Sequence, residues 1–233
     1  MTAKNFEERL QLYTGTFAPV VPVAPGDRLL PLDFTESNQE LTADMLADTR
    51  LFTAYIDEQL VRAGARYGVG GYNEHRTIYS RSRVFDAPPG EEPRRLHLGL
   101  DIWGPADTPI YAPLEGTVHS FAFNDAFGDY GATLILQHTI DGFLFHTLYG
   151  HLSLKSIHEK KEEATFEKGQ WIASFGVPEE NGHWPPHLHF QVITDMQGRK
   201  GDYPGVCRFS ERERYLQNCP DPELLFPVLK ELL

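Results

Sequence analysis

Apolar positions recur at helical intervals through the first 80 residues and at strand intervals afterwards. Phe6, Leu10 and Tyr13 predict a short amphipathic helix that ends at Gly15, and the prolines from Pro19 to Pro31 predict an extended link. A longer helix is expected next, because Leu41, Met45, Phe52, Ile56 and Leu60 keep the helical interval, Ser37 and Glu40 have S-x-x-E capping spacing, and Gly64 stands where a helix would stop. From about Thr77 the segments are short and alternating, broken by Gly, Pro and Asp: TPIYAPLEGTV, GATLILQH, GFLFHTLYGHL, GQWIASFG and PHLHFQV. That pattern predicts a mainly β fold, a sandwich or barrel. A terminal helix starting at Pro222 is expected to dock its Leu and Phe face on the sheet. The reading divides the chain into a helical and extended region, 1–80, and a β-rich domain, 81–233. TPIYAPLEGTV and KGQWIASFG echo each other weakly as Gly-bounded apolar strands, too few to make a repeat architecture.

Composition narrows the partners. The 233 residues are 41% hydrophobic and 23% charged, with 20 glycines and 17 prolines, the make-up of a globular domain rather than a disordered chain. The formal charge of -12 and the absence of any long Lys/Arg run argue against nucleic acid as a partner. No stretch approaches the roughly 20 apolar residues of a membrane span. The start, MTAKNFEERLQLYTGTF, lacks the basic end and apolar block of a secretory signal, so a cytoplasmic address is expected if Met1 is the native start. Only Cys207 and Cys219 occur, outside any C-x-x-C pattern, and a reducing compartment disfavours a disulfide between them.

Candidate chemistry lies in the ten histidines. In Pro186-His187-Leu188-His189-Phe190-Gln191-Val192, strand alternation puts His187, His189 and Gln191 on one face and Leu188, Phe190 and Val192 on the other. Two imidazoles on one face can serve a metal, although two partly exposed strand histidines would read the same way. In His97-Leu98-Gly99-Leu100-Asp101, an imidazole and a carboxylate flank a residue with no side chain, which leaves room between them. Two imidazoles and one carboxylate form a common zinc set in hydrolases, with the fourth position kept for water. His151, beside Gly150 at a strand end, can be aimed into a groove, but alone it reads as a surface residue.

The order HLGLD at 97, TPIYAPLEGTV at 108, ILQH at 135, LYGHLS at 148, EKGQWIASFG at 167 and PHLHFQV at 186 resembles the lysostaphin/LytM family of zinc peptidases over roughly Leu96 to Val192. The resemblance implies an antiparallel β-sandwich or half-barrel peptidase core of the duplicated hybrid motif type. It also implies that one zinc ion is held by His97, Asp101 and His189, with His151 and His187 as the unligated catalytic pair. Spacing alone does not say which member of the H-x-H pair is the ligand. The expected reaction is hydrolysis of peptide bonds, in cell-wall-type peptides or peptidoglycan fragments, by a metal-activated water. Which of His151 and His187 takes the proton stays open, as do protein partners.

The chain also departs from the family pattern. NGHWPPHLHFQV is longer and more aromatic than the usual approach to the H-x-H strand, and about 40 residues follow it. With DYPGV and NCPDP it resembles a branch in which such a domain is joined to phosphotransferase and aminotransferase modules, which leaves a substrate other than cell wall open. His138 ends a strand where the family often has a histidine, and it reads either as an ordinary strand residue or as part of the groove lining. His183 and Trp184 read either as a rim of the cleft or as plain loop. An arginine or aromatic from 72–83 (Tyr72, Arg76, Tyr79) is placed to reach the groove, with none favoured over the others. Competing readings are a LytM-like binding domain that keeps the zinc site without catalysis, a non-haem iron site on the same ligands, and carbohydrate binding through Trp103, Trp171 or Trp184.

Overall fold

The computed structural model describes residues 3–226 and Leu229. Its strands are β1 (Leu29–Leu32), β2 (Tyr67–Gly70), β3 (Leu96–His97), β4 (Leu100–Trp103), β5 (Pro109–Tyr111), β6 (Gly116–Asn124), β7 (Gly131–Ile140), β8 (Phe143–Leu152), β9 (Thr165–Phe166), β10 (Trp171–Ser174), β11 (His187–Ile193) and β12 (Val206–Cys207). Eight form one sheet in the order β1-β2-β4-β11-β8-β7-β6-β9, while β10-β5 and β12-β3 make two-stranded ribbons. The fold is mainly β, as expected. The sheet is mixed rather than wholly antiparallel, because β1 runs parallel to β2. The two segments that echo each other in sequence, around β5 and β10, are paired partners.

The N-terminal region is less helical than its pattern suggests, since β1 and β2 extend the large sheet beyond β4. Their sequences hide this. Tyr67-Gly68-Val69-Gly70 carries two glycines in four positions, and a Cβ at Gly68 would stand 2.4 Å from a methyl of Leu32. Pro31 is tolerated because β1 is the outermost strand.

A helix does follow, but it begins later than the S-x-x-E spacing predicts. Ser37 instead donates its hydroxyl to Asp33, and a short helix, Ala43–Ala47, is capped by Thr42. The long helix spans Thr49–Ala63, with the Asp48 side chain accepting from the Arg50 amide and Gly64 closing it in the left-handed conformation. Its buried face, Phe52, Ile56 and Leu60, packs with Phe34, Tyr79, Trp103 and Trp184. Burying each such side chain contributes about 1.5–3 kcal/mol, and here the packing also fixes two tryptophans beside the site.

Leu188, Phe190 and Val192 enter the main core, as the alternation of β11 requires. The helix Ala3–Leu12 ends before Gly15 and sets Phe6 against Phe143 and Phe145. At the other end, Pro222–Leu225 form a 3-10 turn capped by Asp221, and Leu225, Phe226 and Leu229 are buried in the main core. The rest of the expected terminal helix lies outside the described residues. Cys207 and Cys219 are free, buried thiols, and burial pushes both up to about 12.

Candidate metal and catalytic site

The HLGLD segment is two strands. His97 ends β3, paired with β12, whereas Asp101 lies in β4 directly opposite His189 of β11. The chain steps between the two sheets at Leu98-Gly99. Gly99 is required by what lies beside it, since a Cβ there would come within 2.5 Å of the His189 ring. The space anticipated for an ion is taken by this imidazole.

Three donor atoms converge. His97 Nε2 lies 3.0 Å from His189 Nδ1, Asp101 Oδ1 lies 3.1 Å from His189 Nδ1, and Asp101 Oδ1 lies 3.3 Å from His97 Nε2. All three residues are buried. A tetrahedral zinc with ligands at about 2.0–2.1 Å sets them roughly 3.3 Å apart, so the triangle fits such an ion. Among the described residues, these three form the group of His, Cys, Asp or Glu side chains able to hold a metal.

Their remaining polar atoms are tied off by neighbours that fix the tautomers. His97 Nδ1 donates to the Gly71 carbonyl at 2.9 Å, and His189 Nε2 donates to Gln191 Oε1 at 2.9 Å. The Gln191 amide orientation follows from its other contacts, because its nitrogen donates to the Pro204 carbonyl and to Cys219 Sγ. Each imidazole therefore turns a lone pair toward the other and toward Asp101. Asp101 Oδ2 accepts from the buried Arg76 at 2.5 Å. Burial alone would raise the Asp101 carboxyl, but His97 and Arg76 hold it well below the usual carboxylate range. Burial and the Arg76 charge press His97 down to about 4.

His151 and His187 stand beside this triangle with ring centroids 4.1 Å apart. His151 adopts φ 63°, a left-handed conformation uncommon for a residue with a side chain. Its Nδ1 donates to the Asn181 carbonyl at 2.7 Å, and His187 Nδ1 donates to the Pro185 carbonyl at 2.8 Å. Each keeps Nε2 as an acceptor. Burial, with His187 alongside, lowers His151 well below its ordinary value, and burial brings His187 to about 4. His187 is also stacked on Trp103, centroids 3.8 Å apart and planes 11° from parallel.

Asp101, His151, His187 and His189 line a cavity of about 280 Å³, walled by residues from the 78–85, 128–130 and 199–206 segments. The N-terminal region thus forms one side. Ser82 donates to the Phe127 carbonyl and Thr49 to the His183 carbonyl, which fasten that side across the cleft.

All five residues singled out from the sequence meet in this one place. His138 does not; it is buried between the Glu115 carbonyl and Thr147, away from the cavity. Trp184 lines the cavity, while His183 stacks on Phe127 outside it. Trp103 also lines the wall, whereas Trp171 is half-exposed beside Lys160. From the 72–83 stretch, Arg76 and Tyr79 reach the site, and Tyr72 instead donates to the Cys219 carbonyl. Gly71, Asn181 and the role of Gln191 were not anticipated. Only Gln191 had a signal, its place on the histidine face of β11.

Residues 95–202 match the model of peptidase family M23. The DD-carboxypeptidase/endopeptidase Mpg of Neisseria meningitidis serogroup B is 30% identical over 131 residues, 55% of this chain and 28% of that protein. The chain therefore spans less than a third of the length of this curated relative. A zinc containing peptidase from Vibrio cholerae is 27% identical, with 46% of this chain and 30% of the other covered and a TM-score of 0.34. The catalytic domain of the antimicrobial peptidase lysostaphin from Staphylococcus simulans is 22% identical, with 76% and 97% covered and a TM-score of 0.39. The stretch 95–202, which contains the three convergent donors and both neighbouring histidines, is thus the part of the chain that matches peptidase family M23.

Proposed function

We propose that this chain is a zinc-dependent metallopeptidase that cleaves peptide bonds of cell-wall-type peptides, with His97, Asp101 and His189 as metal ligands. The observation that carries the reading is the facing of His97 Nε2 and His189 Nδ1, 3.0 Å apart, each with its other nitrogen committed to an acceptor. Two lone pairs at that distance repel unless a cation or a proton stands between them. The carboxylate oxygen beside both makes a divalent cation the better occupant. When bound, zinc lowers the pKa of a coordinated water to about 7 and polarises the carbonyl under attack.

The chain's own residues supply the remaining steps. His151 and His187 are kept neutral by burial, so at neutral pH each can accept a proton at Nε2. One takes the proton from the attacking water and later delivers it to the leaving amine. The resulting imidazolium lies where it can stabilise negative charge on the former carbonyl oxygen. The Asn181 and Pro185 carbonyls hold Nδ1 of each ring, which leaves Nε2 as the atom that takes and returns the proton. The cavity walls limit how much bulk water reaches these groups.

The test has two parts, metal content of the purified chain and hydrolysis of synthetic cell-wall peptides with and without chelator. The reading expects about one zinc per chain and cleavage that the chelator abolishes and zinc restores. Stoichiometric zinc without cleavage of any peptide in the panel would favour a silent binding domain, and iron in place of zinc would overturn the hydrolase.

A further inference from the structure

Arg76 is 0% exposed, yet nothing in the sequence of reactions above uses it. A buried guanidinium is costly unless its donors are matched. Here Nη1 reaches Asp101 Oδ2 at 2.5 Å, Nε reaches Glu74 at 2.6 Å, and Nη2 reaches the Gly71 carbonyl at 3.1 Å. The Phe34 ring lies against its carbon, 5.3 Å from the centroid. Space for it exists because residue 70 is glycine, where a Cβ would come within 2.7 Å of Nη2.

The same short segment also grips His97. The Gly71 carbonyl that accepts from Arg76 accepts from His97 Nδ1 as well. The Asn73 amide donates to the His97 carbonyl, and the His97 amide donates to the Glu74 carbonyl. Residues 71–76 therefore hold two of the three convergent side chains, although they lie outside the stretch 95–202 that matches the family model.

We propose that Arg76 is a positioning residue of the metal site, holding Oδ2 of Asp101 so that the carboxylate offers Oδ1 alone to the cation. A carboxylate free to rotate can give both oxygens to a metal and so fill the position a water needs. The guanidinium prevents that rotation. Glu74 balances the charge of the guanidinium, so the pair orients the carboxylate without adding net charge to the site. The inference rests on the metal reading given above, but not on the identity of any substrate.

The test measures zinc affinity by competition with a chelator of known strength, and the visible spectrum of the cobalt-loaded full chain. It compares wild type with Arg76→Lys and with the double variant Arg76→Met, Glu74→Gln, which removes the pair without stranding a buried charge. The expected result is a metal dissociation constant weakened about 10–100-fold in the double variant and less in Arg76→Lys. The cobalt spectrum should also move from the intense absorption of a four-coordinate ion toward the weaker absorption of a higher coordination number. Melting of the metal-free proteins separates this from a purely structural role. Variants that melt lower, but whose folded fraction keeps wild-type zinc affinity and cobalt spectrum, overturn the proposal. A wild-type chain that binds metal but cleaves no peptide would sink the hydrolase and leave Arg76 its role. A wild-type chain that takes up neither metal overturns both.

Discussion

His97 Nε2 and His189 Nδ1 face each other at 3.0 Å from strands of two different sheets, 92 positions apart in the chain. Nothing but a shared positive charge makes that approach favourable, so the site should be stiffest when loaded. Removal of the metal is expected to lower the melting temperature. A ligand present at about 100 times its dissociation constant stabilises by roughly 2.7 kcal/mol, and the difference between chelated and zinc-loaded protein in differential scanning calorimetry should be of that order or more. An identical melting curve would argue against a built cation site.

Replacements around the triangle should separate holding from turnover. Asp101→Asn and His97→Ala are expected to lose zinc on dialysis. His151→Ala, which removes a ring outside the triangle, is expected to retain zinc and lose about 10²–10⁴-fold in rate, the range a positioned general base supplies. Elemental analysis and a peptide cleavage assay on the same preparations give both readings. Full activity in His151→Ala would remove that residue from the mechanism.

Gly99 offers a more delicate probe. Gly99→Ala puts a methyl group within 2.5 Å of the His189 ring and 2.9 Å of the Phe190 carbonyl, so the ring must move. Zinc affinity should fall by about tenfold or more, as for other disturbances of ligand orientation. Chelator competition measures it, and an unchanged affinity would mean that His189 is not held where the structure has it.

Acid should destabilise the fold through histidines far from the metal site. Burial lowers His138 and His146 to about 4 from an ordinary value of 6.5. Unfolded chains take up these protons first as pH falls, so stability is full above about pH 6.5 and is lost between there and pH 4. Each such group changes stability by up to about 1.4 kcal/mol per pH unit in that window. Urea melts of metal-free protein at pH 7, 5.5 and 4.5 should show the decline, to which the buried His97, His151 and His187 also contribute, and His138→Gln should make it shallower.

The sequence carried the converging side chains more clearly than their support. His187, His189 and Asp101 were legible because strand alternation assigns faces, and the order of motifs joined distant segments. Burial went unforeseen: His187 and His189 are covered because the 78–85 and 199–206 segments roof them. Strand β2 was hidden because glycines that admit Leu32 and Arg76 also dilute its strand character. The late start of the Thr49–Ala63 helix follows from local competition, with Asp33 taking the Ser37 hydroxyl that the capping pattern had assigned elsewhere. Asn181 and Gly71 act through backbone carbonyls, which every residue possesses and no motif can advertise.

Strand β2 lies along the flank of β4, and the residues that follow it reach the same group of converging side chains. A fragment trimmed to the stretch that the family model matches, 95–202, would carry β4 with its outer row of amides and carbonyls unsatisfied, an invitation to stick to other chains. Expression of that fragment should therefore give aggregates where residues 1–233 give dispersed protein. The portion that the family model matches is narrower than the portion whose backbone pairing completes the sheet around β4.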